Sequence, residues 1–314
     1  MKSTQSRNVA DELAALDAKI NAFLPARYQH CYTSVSPTSM GSAGLKYGSD
    51  GKVAWDQIWT TFCDLALAGG PPHRGTLLEP VSEADAAAEP ERYGQVVEEL
   101  GRAIRSTTAL QVVDGHVPGW VGVQCDAPEE AAWLQFAVTA ENVSARRKQS
   151  VLQLPAGPAF RVEKEIKNVV VALAKGCHYW DGHLTAAQQK LAGETVWEAT
   201  APAEAAAAPS AYEAAVGEVE DGLRAAGLTT LPRRYVGWVG VETPGEEDAV
   251  WLLRAVLVER VLARREERVL YLPVGATPSA ERAARIAWTC NRAWDLWKAS
   301  SARRPAWRRS DRPT

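Results

Sequence analysis

The stretch Gly119-Trp120-Val121-Gly122-Val123 returns 118 positions later as Gly237-Trp238-Val239-Gly240-Val241. The match then continues without a gap over roughly 40 residues, of which about half are identical. Two internal copies can be compared with each other as two related proteins would be. We expect residues kept in both copies to serve the fold, and reactive residues found in only one copy to be candidates for function.

Each copy alternates short apolar runs, typical of strands, with longer segments in which apolar residues recur at helical spacing. Residues 119–125 form a short apolar run that predicts a buried strand, and Pro128 with the acids after it suits the first turn of a helix. Arg146-Arg147 is interpreted as the end of that helix, where cations suit the helix dipole. Residues 151–154 then predict a second strand, and residues 160–176 a second helix.

A further helix precedes each copy, so the predicted module is helix–strand–helix–strand–helix. The first residues of the chain are interpreted as a diverged third module, in which Leu77-Leu78-Glu79-Pro80 takes the place of Leu152-Gln153-Leu154-Pro155. The predicted domains are a diverged first module at 1–90, a second module at 91–198, an Ala/Pro linker at 199–210, a third module at 211–300 and a basic flexible tail at 301–314.

Alternation of strands and helices favours parallel strand pairing through crossover helices. The predicted fold class is therefore α/β, or α+β, built from three tandem βαβ modules with mainly parallel pairing. A pseudo-threefold arrangement and a ferredoxin-like arrangement both stay open.

Composition excludes several classes of protein. The 314 residues carry a net charge of −3, which does not indicate a nucleic-acid surface. No apolar run is long enough to span a bilayer, and the N-terminus lacks an apolar signal core, so we expect a cytoplasmic protein without membrane contact. Five cysteines without a CxxC pair do not suggest a disulfide framework or a zinc knuckle. Many of the 12 tryptophans recur at matching positions and are expected in the core.

Histidines are distributed asymmetrically. All five lie before residue 184, and the last module has none. Either the last module lacks a chemistry that the others have, or an exposed helix has simply drifted. The comparison favours one site between the first two modules.

The Gly/Pro loop at 69–75 is the first candidate for that site. Gly70 allows a close backbone approach, and His73 and Arg74 bring two donors together. Such a loop suits a carboxylate or phosphate, although an ordinary rigid connector is the alternative. It lacks the signature of a P-loop.

The segment 177–183 is the densest reactive stretch. His178 and His183 point about 140° apart on a regular helix, so a break at Gly182 is needed to bring them together. We expect them to act as acid–base groups, with Tyr179 as a substrate contact. One alternative is a divalent metal held by His178 and His183 with a third ligand from His30, Cys31 or His73. A plain structural role of these residues is the other.

Lys164, Lys167 and Asn168 form a polar edge of the preceding helix. The two lysines are candidate catalytic groups and Asn168 a candidate substrate contact, against the alternative of a solvated helix face. His30, in a polar segment before the first strand, is a further candidate substrate contact.

These features predict an enzyme that acts on a small anionic metabolite, a carboxylate or phosphate, by histidine acid–base chemistry. The reaction class is not specified. The alternative is a non-catalytic protein for metal or cofactor binding or for assembly, in which a homo-oligomer is an open case. No nucleotide-cofactor motif is present.

Overall fold

The structure is a computed structural model that describes residues 2–26, 45–57, 65–68, 70, 72–113, 117–193 and 197–301, with side chains from residue 9 to residue 299. Its helices are α1 (Lys2–Phe23), α2 (Glu83–Ala88), α3 (Pro90–Thr107), α4 (Pro128–Ala140), α5 (Lys167–His183), α6 (Ala186–Ala192), α7 (Pro202–Ala207), α8 (Pro209–Ala225), α9 (Glu246–Val258) and α10 (Ala280–Ser301). Its strands are β1 (Gln111–Val112), β2 (Trp120–Gln124), β3 (Arg146–Lys148), β4 (Val151–Pro155), β5 (Trp238–Glu242), β6 (Arg264–Glu266) and β7 (Val269–Pro273).

The strands form two small antiparallel sheets. Their orders are β1-β2-β4-β3 and β5-β7-β6. The repeated glycine–tryptophan stretch forms β2 and β5, and each is hydrogen-bonded to the apolar strand that closes its copy, with Trp120 opposite Pro155 and Trp238 opposite Pro273. The mixed α+β class is confirmed, whereas parallel pairing and three βαβ modules are wrong.

The pairing is antiparallel because β3 and β4 form a hairpin. Arg146 and Arg147 do not end a helix; they lie in β3, which turns directly into β4. Helix α4 ends earlier, at Ala140, and Asn142 follows with a φ of 60°. Gln149 then makes the hairpin turn at φ 54°. The second copy repeats both left-handed positions, so two turns without glycine decide the topology.

The described residues contain two copies of the repeated unit. Leu78 forms an isolated parallel bridge with Val143, and Trp197 forms the corresponding bridge with Val261. Leu77-Leu78-Glu79-Pro80 therefore begins a repeat instead of corresponding to β4. We call residues 78–183 the N-repeat and residues 197–301 the C-repeat.

The Ala/Pro-rich segment 199–210 contains helix α7 and the start of α8, as α2 and α3 begin the N-repeat. Each proline lies in the first turn of its helix, where the missing N–H costs nothing. The spacing of apolar residues over 9–23 predicts an amphipathic helix, and these residues lie in α1, which packs on α9 and α10. In the first module the sequence also favours a strand at 42–47 and a helix with an apolar face from Trp55 to Ala66. Most of these residues lie outside the described part of the chain, and Trp55 itself lies in a short 3₁₀ turn.

One continuous apolar core runs through both repeats and α1. Helix α4 is buried on nearly all sides, because the sheet, α5 and α6 surround it. Trp251 stacks on Trp297 at 4.9 Å, and the Trp133 indole N–H donates to the Gly176 carbonyl at 3.0 Å. These repeated tryptophans are core residues, as predicted. None of the helices in the described part of the chain is long and apolar enough to cross a membrane.

Candidate functional site

A cavity of about 390 Å³ lies between the N-repeat and the C-repeat. We call it the junction cavity. Both repeats contribute to its wall. Its lining includes the charged residues Glu79, Arg146, Arg147, Glu198, Glu204 and Arg282 and the aromatic residues Trp120 and Trp238. Its volume falls within the range of small-molecule sites.

The two repeats contain equivalent arginine–tryptophan pairs, of which Trp120, Arg146 and Trp238 line the cavity. The Arg146 guanidinium lies 4.4 Å from the ring centre of Trp120, and Arg264 lies 5.1 Å from that of Trp238. In each repeat the arginine begins the short hairpin strand and the tryptophan begins the central strand. Stacking fixes the plane of a guanidinium while leaving its N–H edge available to an anion.

The two arginines differ in what surrounds them. Arg146 is half-buried, and its Nε donates to Gln153 at 2.6 Å. Arg264 is fully buried, because the position of Gln153 is taken by Tyr271, whose ring centre lies 4.0 Å away. Arg264 Nη1 donates to Glu266 at 2.8 Å, whereas its Nε and Nη2 have no hydrogen-bond partner among the described residues. It is a buried positive charge behind the Trp238 wall.

The remaining cations of the cavity are positioned by local contacts. Arg147 lies 3.4 Å from Glu198. Arg282 reaches across Gly275, where a Cβ atom would overlap its guanidinium, so the glycine gives this side chain its place at the cavity wall. Arg282 also lies over Trp197, 5.6 Å from the ring centre.

A second polar centre is closed to solvent. Lys175 and Glu141 form an ion pair of 2.6 Å, and their side chains are 1% and 0% exposed. The Glu141 carboxylate also accepts the backbone N–H groups of Ala66 at 3.0 Å and His73 at 2.7 Å. This carboxylate therefore fastens the Gly/Pro loop to the end of α4.

The Gly/Pro loop is held mainly by hydrogen bonds to its backbone, not to its side chains. The Gly70 carbonyl accepts Arg265 Nη2 at 2.9 Å, and the Arg74 carbonyl accepts Asn142 Nδ2 at 2.8 Å. The Arg74 side chain turns to the Thr76 carbonyl at 3.2 Å. The loop is held as a connector between the repeats, and none of its described residues lines the junction cavity.

Burial lowers the pKa of His73 to about 4. Glu141 opposes this shift, whereas the nearby charges of Lys175, Lys167 and Arg74 add to it. The imidazole is therefore neutral at pH 7 in the folded protein.

We expect His73 to make the protein sensitive to acid. The unfolded chain gains a proton near pH 6.5, but the folded chain does so only near pH 4, so stability is full above pH 6.5 and falls as the pH drops towards 4. His73→Gln should remove up to about 3 kcal/mol of this loss. The measurement is the free energy of unfolding in urea at several pH values. Parallel curves for the two proteins would contradict the assignment.

The predicted histidine pair does meet. His178 Nε2 and His183 Nε2 are 3.1 Å apart, and the buried Tyr179 ring lies 4.9 Å from the ring of His183. No break at Gly182 is needed, because the Leu184 N–H donates to the Tyr179 carbonyl at 3.0 Å and widens the last turn of α5. Burial lowers the pKa of His178, and the His183 charge adds to the shift.

The other predicted residues are dispersed. Lys164 is 58% exposed and lies 3.9 Å from Glu165. Lys167 and Asn168 are half-buried, and Lys167 is close enough to affect His73. His30 and Cys31 lie outside the described residues.

The metal alternative gains no support from the described part of the chain, which holds no group of three or more His, Cys, Asp or Glu side chains that could bind a metal ion. His73 and His178 also have different electrostatic neighbours. Glu141 and the lysines act on His73, whereas His183 and Asp181 act on His178.

The cavity residues were missed because their signal was interpreted as structural. Arg146 and Trp120 recur in the C-repeat, and recurrence was taken to indicate the fold alone. The first residues of β2 and β3 meet only across the sheet, a contact that sequence spacing does not reveal. A comparison with known proteins adds no name to the site: no protein-family model matches the chain, and no curated protein matches it significantly.

Proposed function

We propose that the chain binds a small molecule bearing a carboxylate or phosphate in the junction cavity. The observation that carries this proposal is the Arg146 guanidinium, which lies over the Trp120 ring at the cavity wall and remains partly exposed. A guanidinium held against an aromatic face is preorganised for an anion, since few of its rotamers remain to be lost on binding.

The wider charge pattern supports an anion at the same wall. Among the described residues, the Arg146 guanidinium has a single acid within 4 Å, Glu204 of the C-repeat at 3.8 Å. Arg282 lies on the C-repeat side of the cavity, and the buried charge of Arg264 stands behind Trp238. In a half-enclosed cavity these charges act through less water than on an open surface.

The His178–His183 pair is a separate candidate for an enzymatic step. The His178–His183 pair can share and transfer a proton, as the sequence predicts. No described residue of α5 lines the junction cavity, however. The contacts therefore favour ligand binding as the activity of the cavity itself.

We expect Arg146→Met to weaken binding of such a ligand at least 10-fold, because it removes the charge and keeps most of the side-chain volume. The probes are inorganic phosphate and a panel of small mono- and dicarboxylates, measured by isothermal titration calorimetry. Arg224→Met is the matched control, since Arg224 is exposed on α8 and pairs locally with Glu220 and Asp221. If no probe binds the parent protein, or if both variants bind alike, the proposal fails.

A further inference from the structure

The three acids of the junction cavity differ in their partners. Glu198 lies beside Arg147 at 3.4 Å. Glu204 caps helix α7, where its Oε2 accepts the Thr200 hydroxyl at 2.9 Å and the Ala201 N–H at 3.2 Å. The half-buried Glu79 carboxylate has neither a hydrogen bond nor an ion pair with any described residue.

The Glu79 carboxylate is only partly buried, and its oxygens are not closed off from solvent. A ligand cation at the cavity wall would therefore replace solvent at this carboxylate without breaking an existing contact. Burial raises the pKa of Glu79, and the Arg264 charge opposes that rise. The buried arginine thus helps to keep a negative charge at Glu79 near neutral pH.

We propose that the ligand of the junction cavity is zwitterionic, with its carboxylate at Arg146 and an ammonium group at Glu79. The inference rests on the proposed function, since it assumes that the cavity binds a carboxylate. Cations and acids occur together in its lining, which suits a molecule with both charges better than a simple anion. The chemical class is that of an amino acid, in which an ammonium group and a carboxylate lie on one small frame.

The position of Glu79 also suits contact with a ligand better than a role in stabilising the fold. It begins the N-repeat next to Pro80, and the equivalent position in the C-repeat is Glu198, which also lines the cavity. The two acids enter from the two repeats, as the stacked arginines do. Because Arg147 already pairs with Glu198, Glu79 is the acid left for the ligand.

The test compares matched pairs of probes: L-phenylalanine with 3-phenylpropanoate, and L-glutamate with glutarate. Each pair differs in the ammonium group alone. We expect the parent protein to bind the amino acid of at least one pair 10-fold or more tightly than its des-amino partner. Glu79→Gln should reduce that ratio to about 1 while the affinity for the des-amino acid stays the same or improves, because the loss is confined to one charge pair.

The outcomes separate this inference from the proposed function. If des-amino acids bind as well as amino acids and Arg146→Met weakens both, the cavity binds carboxylates and the zwitterion proposal is overturned. An unchanged ratio of amino-acid to des-amino affinity in Glu79→Gln also overturns the zwitterion proposal. So does tighter binding of a 2-hydroxy acid than of the matching amino acid, because the ligand would then donate through a hydroxyl group. If neither member of either pair binds, while another carboxylate or phosphate does so in an Arg146-dependent way, the zwitterion proposal alone fails. Thermal melting of each variant checks that it is folded.

Discussion

Lys175→Met should lower the free energy of unfolding by about 3 kcal/mol or more, since it leaves the Glu141 carboxylate buried without its cation. Methionine fills most of the lysine volume, so the loss reports the missing charge more than a cavity. The backbone N–H groups of Ala66 and His73 remain as donors to Glu141, and they keep the loss towards the lower end of the usual range.

The repeat supplies a matched control for this substitution. Glu259 is the counterpart of Glu141, and its partner Lys19 lies 2.6 Å away but is 57% exposed. Lys19→Met should cost about 1 kcal/mol or less, because the Lys19 ammonium is largely solvated and Arg285 remains 3.3 Å from Glu259. Chemical unfolding at pH 7, followed by tryptophan fluorescence and circular dichroism, measures both variants. Equal losses in the two would show that burial does not set the strength of the Glu141 pair.

Much of the scaffold could be predicted from the sequence because glycines and prolines mark the ends of its helices and strands. A glycine directly precedes β2, a proline begins α4 and a proline ends β4, and each signal acts within a few residues. The direction of strand pairing could not be predicted in this way. It depends on β3, which is three residues long and polar, so it has no alternating pattern to distinguish it from a helix end.

The candidate site was harder to predict for a related reason. The Gly/Pro loop has the composition of an anion-binding loop, yet Glu141, Asn142 and Arg265 hold its backbone. Composition reports which donors a loop has, whereas tertiary contacts decide which of them remain available. Arg146 and Glu79 line one cavity although they are far apart in sequence, and no local pattern encodes that meeting.

Gly119→Ala and Gly237→Ala should each destabilise the protein by about 3 kcal/mol or more. Both glycines have positive φ values, 82° and 80°, which alanine adopts only at a cost of 1–2 kcal/mol, roughly. A Cβ atom at Gly119 would also overlap the Val81 carbonyl oxygen, and one at Gly237 would overlap that of Thr200. These are backbone atoms, so relief requires the strand to move.

The same substitution elsewhere should have the opposite sign. Gly94 lies within α3, and a Cβ atom there meets nothing within 4 Å, so Gly94→Ala should stabilise the protein by about 0.5–1 kcal/mol. Chemical unfolding of the three variants tests both signs. Gly119 donates its N–H to the Tyr93 hydroxyl at 2.9 Å, and Gly237 donates its N–H to the Tyr212 hydroxyl at 2.8 Å. Each of these glycines precedes a tryptophan that lines the cavity. Because the geometry is the same in both repeats, we expect equal losses of stability at Gly119 and Gly237. Equal losses would support a structural role of the glycine–tryptophan stretch in both repeats, and unequal losses would contradict that shared role.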